Sequence, residues 1–173
     1  MARETEIKIL DIDKEEIHKK LIERGARYLR KVRQVNQIFD HNNRDILIRI
    51  RTEEGKAIFT TKKSISRGEF KISHELETFV SSPEIFSQQL EIMGYPLSWY
   101  LEKDRASYQY KETLVTIDEY PDIPPFVEIE GHENTIRVVV RELGYEMKDT
   151  TSMNFRDLIE RYQPGKRELK FGK

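Results

Sequence analysis

The sequence has no cysteine, which excludes disulfides and thiolate-bound metals and fits a reducing, cytoplasmic setting. No apolar run approaches the roughly 20 residues of a membrane-spanning helix, and the N-terminal residues carry no apolar signal core. Histidine is scarce, and His18, His41, His74 and His132 show no metal-ligand spacing. Net charge is almost absent: Lys+Arg total 30 and Asp+Glu 31, a formal charge of -1. That balance gives no sign of binding to nucleic acid or a membrane surface. The Gly-Lys-Arg at 165–167 lacks the strand, Gly-rich loop and helix of a phosphate loop.

Charge itself is abundant. Charged residues make up 35% of the chain and hydrophobic ones 37%, with aromatic and β-branched residues spread throughout. This is a polar globular composition rather than a disordered one. The length of 173 residues suits one domain over 1–173, with about 164–173 as a solvated tail.

Period-2 patterning predicts strands over about 4–10, 28–40, 45–51, 56–63, 69–80, 97–110, 112–120 and 126–131, with Asn42-Asn43 as a turn and "SISRG" as a loop. Helices are expected after the Asp13 N-cap, after Ser82-Pro83, around Ile136–Leu143 and over about 153–162. Gly25, Gly94 and Gly144 close the first three. So many strands in a small α+β chain favour closure into a barrel or a strongly curved sheet.

The strands share an odd feature. Alternate residues point to one face, and on nearly every strand that face is charged: Glu4, Glu6 and Lys8; Arg49 and Arg51; Lys62; Glu75 and Glu77; Lys103 and Arg105; Asp118; Glu128 and Glu130. Taken singly, each is most simply a solvated strand face, or a set of charges paired across strands. Taken together, they describe a wet lumen of mixed sign. Arg and Lys bind phosphate oxygens, and carboxylates without His or Cys suit hard divalent ions. The combination describes a site for a metal-bound polyphosphate.

In order along the chain, "ETEIK" and the charged pairs that follow resemble the CYTH domain, the triphosphate tunnel metalloenzyme family. The resemblance spans almost the whole sequence. It implies an eight-stranded antiparallel β-barrel, open at its ends, with helices packed outside. It implies phosphate binding by Lys8, Arg49, Arg51, Lys62, Lys103 and Arg105, and Mg²⁺ or Mn²⁺ held by Glu4, Glu6, Asp118, Glu128 and Glu130. Glu75 and Glu77 would contact metal through water or orient the attacking water, and the catalytic set is Glu4, Glu6, Lys8, Glu75 and Glu77.

The expected activity is that of a triphosphatase acting on inorganic triphosphate or on an organic or nucleoside triphosphate. The alternatives are a class IV adenylyl cyclase and a non-catalytic polyphosphate- or nucleotide-binding module. Cyclase-like members often have Gly-Pro after the tunnel lysine, whereas Lys63-Ser64 follows Lys62 here. Trp99 and Tyr100 offer either an aromatic wall for a base or packing at the barrel rim. The expected partner is a small-molecule triphosphate, with no nucleic acid or membrane. The sequence leaves the oligomeric state open, a homodimer included.

Overall fold

Residues with alternating apolar and charged side chains can bury one face of a strand and leave the other for a lumen. The computed structural model, which describes residues 2–40 and 45–172, closes such strands into a barrel. The expected Asn42-Asn43 turn lies outside the described residues. The strands are β1 (Ala2–Ile9), β2 (Arg27–Phe39), β3 (Ile46–Glu53), β4 (Lys56–Arg67), β5 (Lys71–Val80), β6 (Leu97–Tyr110), β7 (Thr113–Glu119) and β8 (Phe126–Glu130). Their order around the barrel is β6-β2-β3-β4-β5-β1-β8-β7, and pairing of β7 with β6 closes it; every pair is antiparallel. The fold is α+β, as expected.

Among the described residues, four α-helices pack on the barrel: α1 (Lys14–Glu23), α2 (Pro83–Ile92), α3 (Glu133–Glu142) and α4 (Phe155–Tyr162). Asp13 caps α1 through bonds from the Glu15 and Glu16 amides. Gly25, Gly94 and Gly144 follow α1 to α3 with positive φ, where a Cβ would be strained. Among the described residues, no helix is long and apolar enough to cross a membrane.

The outward faces hold the core. Ile7, Val115, Ile117, Val127 and Ile129 pack against Ile17 and Leu21 of α1 and Ile136, Val139 and Val140 of α3. Leu90 of α2 covers Phe39, Ile48 and Ile50. Each fully buried side chain of this kind contributes about 1.5–3 kcal/mol. Because Ile48 and Ile50 point out, Arg49 and Arg51 must point in.

Three expectations change. The "SISR" stretch continues β4 rather than forming a loop: a bulge between Ser64 and Ser66 keeps it paired to β5 as far as Arg67 opposite Lys71. Its polar side chains hid a backbone whose hydrogen bonds go to a neighbouring strand. Second, part of the expected tail is packed: β10 (Glu168–Leu169) runs parallel to β6, and Leu169 is buried beside Trp99 and Leu101.

Third, the barrel is not open at both ends. A two-residue strand, β9 (Thr150–Thr151), pairs with Lys8 and Ile9. It leads into α4, whose Ile159 packs with Ile38, Trp99 and Leu101, and whose Phe155 and Leu158 line the lumen. Apolar residues at i, i+3 and i+4 give α4 one buried face, and the apolar ends of β2 and β6 receive it. Asn154 caps the helix through the Arg156 and Asp157 amides, and Arg156 pairs with Asp40.

Candidate functional site

All thirteen charged residues singled out from the sequence line one cavity of about 370 Å³ inside the barrel. The strands bring them there by parity and pairing register. Glu6 lies opposite Glu130 and Lys8 opposite Glu128 across β1–β8; Arg105 lies opposite Asp118 across β6–β7; Lys62 lies opposite Glu75 across β4–β5.

Opposite charges interleave. The Lys62 ammonium contacts Glu4, and lies 3.3 Å from Glu6 and 3.1 Å from Glu75. Glu6 also accepts from Lys8 at 2.9 Å and Lys71 at 2.8 Å. Lys8 reaches Glu128 at 2.7 Å. Arg105 joins Asp118 at 2.6 Å to Glu128 at 3.0 Å, and Lys103 adds a 2.9 Å bond to Asp118.

Electrostatics follow this pattern. Burial raises the Glu6 carboxyl, but Lys8, Lys71 and Lys62 outweigh it and hold Glu6 far below the usual range. Glu130 has no ion pair among the described residues; burial, then Glu4 and Glu128, push its carboxyl up to about 7. Burial and Arg105 lower Lys103 to about 8 against the pull of Asp118.

Arg49 and Arg51 are held only by long contacts. Each lies 3.5 Å from the same Glu77 oxygen; Arg49 also donates to Thr60 at 3.2 Å, the Arg51 Nε lies 3.5 Å from Glu53, and neither buried Nε–H makes a hydrogen bond. Burial and Arg49 lower Arg51 below the ordinary guanidinium value. Glu77 accepts from Thr60 at 2.8 Å, which fixes its carboxylate beside both arginines.

Several lining residues were not singled out from the sequence. Lys71 shares the parity of Glu75 and Glu77, and Gln34 lies on the inward face of β2; extending the period-2 count along each strand would have found them. Glu53 shares the parity of Arg49 and Arg51, and is held by Arg30 at 2.7 Å. Trp99 packs in the core, edge-on to Phe155 at 5.6 Å, so the rim-packing expectation holds for it.

Among the described residues, no three carboxylates or histidines converge as a preformed metal site. The donor chemistry nonetheless fits a hard divalent ion: Glu4, Glu6, Glu128 and Glu130 offer only oxygen donors and crowd one another. Lysines stand where such an ion would compete.

No curated protein matches the chain. Solved structures do. PH1012 of Pyrococcus horikoshii OT3 aligns with a TM-score of 0.83 at 22% identity, covering 90% of this chain and 98% of its own. A Vibrio parahaemolyticus protein with an adenylate cyclase assignment aligns at 0.76 and 13% identity, covering 91% and 97%. A Hippeastrum protein assigned as an adenylyl cyclase, and described as revealing a dominant triphosphatase activity, aligns at 0.63 and 16% identity, covering 93% and 95%. These likenesses establish the shared fold. The CYTH domain profile matches residues 2–152, a span that holds the eight barrel strands and all thirteen charged lumen residues named above, so the chain belongs to the CYTH domain family.

Proposed function

We propose that this chain is a divalent-metal-dependent enzyme that hydrolyses a triphosphate inside the barrel. The observation that carries the reading is the Arg49–Arg51 pair, two half-buried arginines on the cavity wall whose Nε–H donors are buried and make no hydrogen bond. A buried donor left unmade costs about 1–3 kcal/mol. A phosphate chain, rich in acceptor oxygens, supplies the missing partners for both.

Lys8, Lys62, Lys103 and Arg105 complete the phosphate-side set, and all line the same cavity. Glu4, Glu6, Glu128 and Glu130 would hold Mg²⁺ or Mn²⁺, with Asp118 more firmly committed to Lys103 and Arg105. When bound, the metal supplies charge neutralisation at the phosphoryl oxygens. Arg49 and Arg51 orient the chain, and Glu77, fixed by Thr60, is placed to accept a proton from an attacking water. Phe155 and Leu158 of α4 give one end of the cavity an apolar wall.

The deciding experiment incubates the protein with inorganic triphosphate, ATP or thiamine triphosphate and Mg²⁺ or Mn²⁺, then identifies products. Orthophosphate release supports hydrolysis. Cyclic AMP with diphosphate would identify a cyclase instead. Arg49→Ala and Glu6→Gln are each expected to lower kcat/KM by about 100-fold or more with an unchanged circular dichroism spectrum. Undiminished turnover in both variants would remove the lumen from consideration.

A further inference from the structure

We propose that Gln34 reads a hydrogen-bond donor on the group attached to the triphosphate, which makes the substrate a nucleoside triphosphate or a similarly hydroxyl- or amine-bearing organic triphosphate. The inference rests on the lumen being a triphosphate site. It concerns a side chain that the charge pattern does not explain.

Gln34 is 3% exposed and lines the cavity. Its amide nitrogen donates to Glu53 at 2.6 Å. Glu53 is itself buried, bonded by Arg30 at 2.7 Å and approached by Arg51 at 3.5 Å. An ionised carboxylate only accepts hydrogen bonds. Glu53 therefore decides which end of the amide faces it, and turns the Gln34 carbonyl oxygen the other way. That oxygen is buried and has no partner. On the far side of β6, Thr116 is 2% exposed, lines the same cavity and also has an unpartnered side-chain oxygen.

A fixed carbonyl acceptor is out of place in a chamber for phosphate alone. Phosphate oxygens accept and cannot satisfy it. A sugar hydroxyl or an exocyclic amine can. The location suits such a group. Gln34 pairs in register with Lys103 on one side, and two residues along β2 Asn36 pairs with Arg51 on the other. The donor would therefore lie next to the phosphate-side cations. Glu53 ends β3 at the opposite extreme from Leu47, which packs towards α4, so the attached group would lie away from the blind end. Arg30, 47% exposed, stands at that mouth.

The test is a substrate-by-variant cycle. kcat/KM is measured for inorganic triphosphate, ATP, 2′-deoxy-ATP, 3′-deoxy-ATP and inosine triphosphate, with wild type and with Gln34→Met, which keeps length and approximate volume. The ratio of ATP to inorganic triphosphate should fall about three- to tenfold in Gln34→Met, the range of one neutral hydrogen bond. One of the three analogues should show a similar loss on the wild type and little further loss on the variant. If Gln34→Met does not fold, Gln34→Asn, which withdraws the amide by one methylene, takes its place.

Equal losses for ATP and inorganic triphosphate, or full additivity for all three analogues, would overturn the role of Gln34 and leave the triphosphate site standing. A wild type that processes inorganic triphosphate and not ATP would do the same. A wild type that turns over none of the five would overturn the triphosphate reading along with this one.

Discussion

Lys62 offers the sharpest test of how the lumen is held together. Its ammonium contacts Glu4, Glu6 and Glu75, and its side chain is 13% exposed. Lys62→Met keeps the aliphatic stem and removes the charge. Glu6 retains Lys8 and Lys71. Glu4 and Glu75 each lose the Lys62 ion pair, and their mutual repulsion is then opposed chiefly by Arg49 beside Glu75. Glu4 already stands above the usual carboxylate range, because burial outweighs Lys62. Breaking one side of a fully buried pair costs 3–5 kcal/mol. Discounted for a cavity open to water at one end, the loss is about 2 kcal/mol, or a fall in Tm of about 4–8 °C for a chain of this size.

The assay is thermal unfolding at pH 8, where the carboxylates must stay ionised, with and without Mg²⁺. If these carboxylates are the metal side of the site, Lys62 competes with the ion. Mg²⁺ should then raise the Tm of Lys62→Met more than that of the wild type. A ligand at 100 times its Kd stabilises by about 2.7 kcal/mol, enough to restore the loss. An equal Mg²⁺ shift in both proteins, or no destabilisation in its absence, would refute the reasoning.

Three further outcomes are expected. The Glu53 carboxyl is held below its ordinary value: burial opposes this, and bonds from Arg30 and Gln34 with the charge of Arg51 outweigh it. A lowered carboxyl stabilises above its unfolded pKa, and that stability is lost as pH falls through the folded value. Glu53→Gln should therefore lower urea stability at pH 7 by about 1 kcal/mol and much less near pH 3; equal losses at both would contradict the pairing. A Cβ at Gly131 would lie 2.8 Å from Thr113 Cγ2 and 3.1 Å from the Glu112 carbonyl, so Gly131→Ala should cost about 1–3 kcal/mol in denaturant unfolding, and a neutral result would be inconsistent with that contact. Ile159, 2% exposed under the barrel end, should cost about 2–5 kcal/mol on truncation to Ala; a loss under 1 kcal/mol would show that α4 does not close the lumen.

Parity explains how much of this was legible. A strand has only two faces, so once Ile48 and Ile50 are apolar, the inward direction of Arg49 and Arg51 follows from the pleat alone. The family resemblance then supplied closure, which no single strand encodes. Partner choice was not legible, because it depends on register between strands distant in sequence, as with Lys62 and Glu4, 58 residues apart. The blind end was missed for a related reason. Ile38, Trp99 and Leu101 share parity with inward polar residues yet are apolar. That switch from charged to apolar along one face marks where the lumen ends and a cap begins. The same physics hid β10, since two residues are too few to show a period.

The charge inventory makes a stronger demand on function than any one residue does. Among the described residues, eight basic and seven acidic side chains line the cavity, and Glu53, bonded to the lining Gln34 and Arg30, brings the acids to eight. A trap for bare anions would not be built neutral. A triphosphate entering alone takes lysines from Glu4, Glu6 and Glu128 and leaves those carboxylates buried without partners, at several kcal/mol each before relaxation. A divalent ion entering alone strands the lysines in the same way. Entering together, they exchange each lysine–carboxylate bond for a lysine–phosphate and a carboxylate–metal bond, and the chamber stays balanced. Binding of the two should therefore be mutually reinforcing by about 1–3 kcal/mol, and by the same factor whichever is titrated first. Calorimetric titrations in both orders, corrected for complex formation between metal and triphosphate in solution, measure that factor. Triphosphate affinity that is the same in chelator as in Mg²⁺ would show that the lumen's carboxylates have no part in binding.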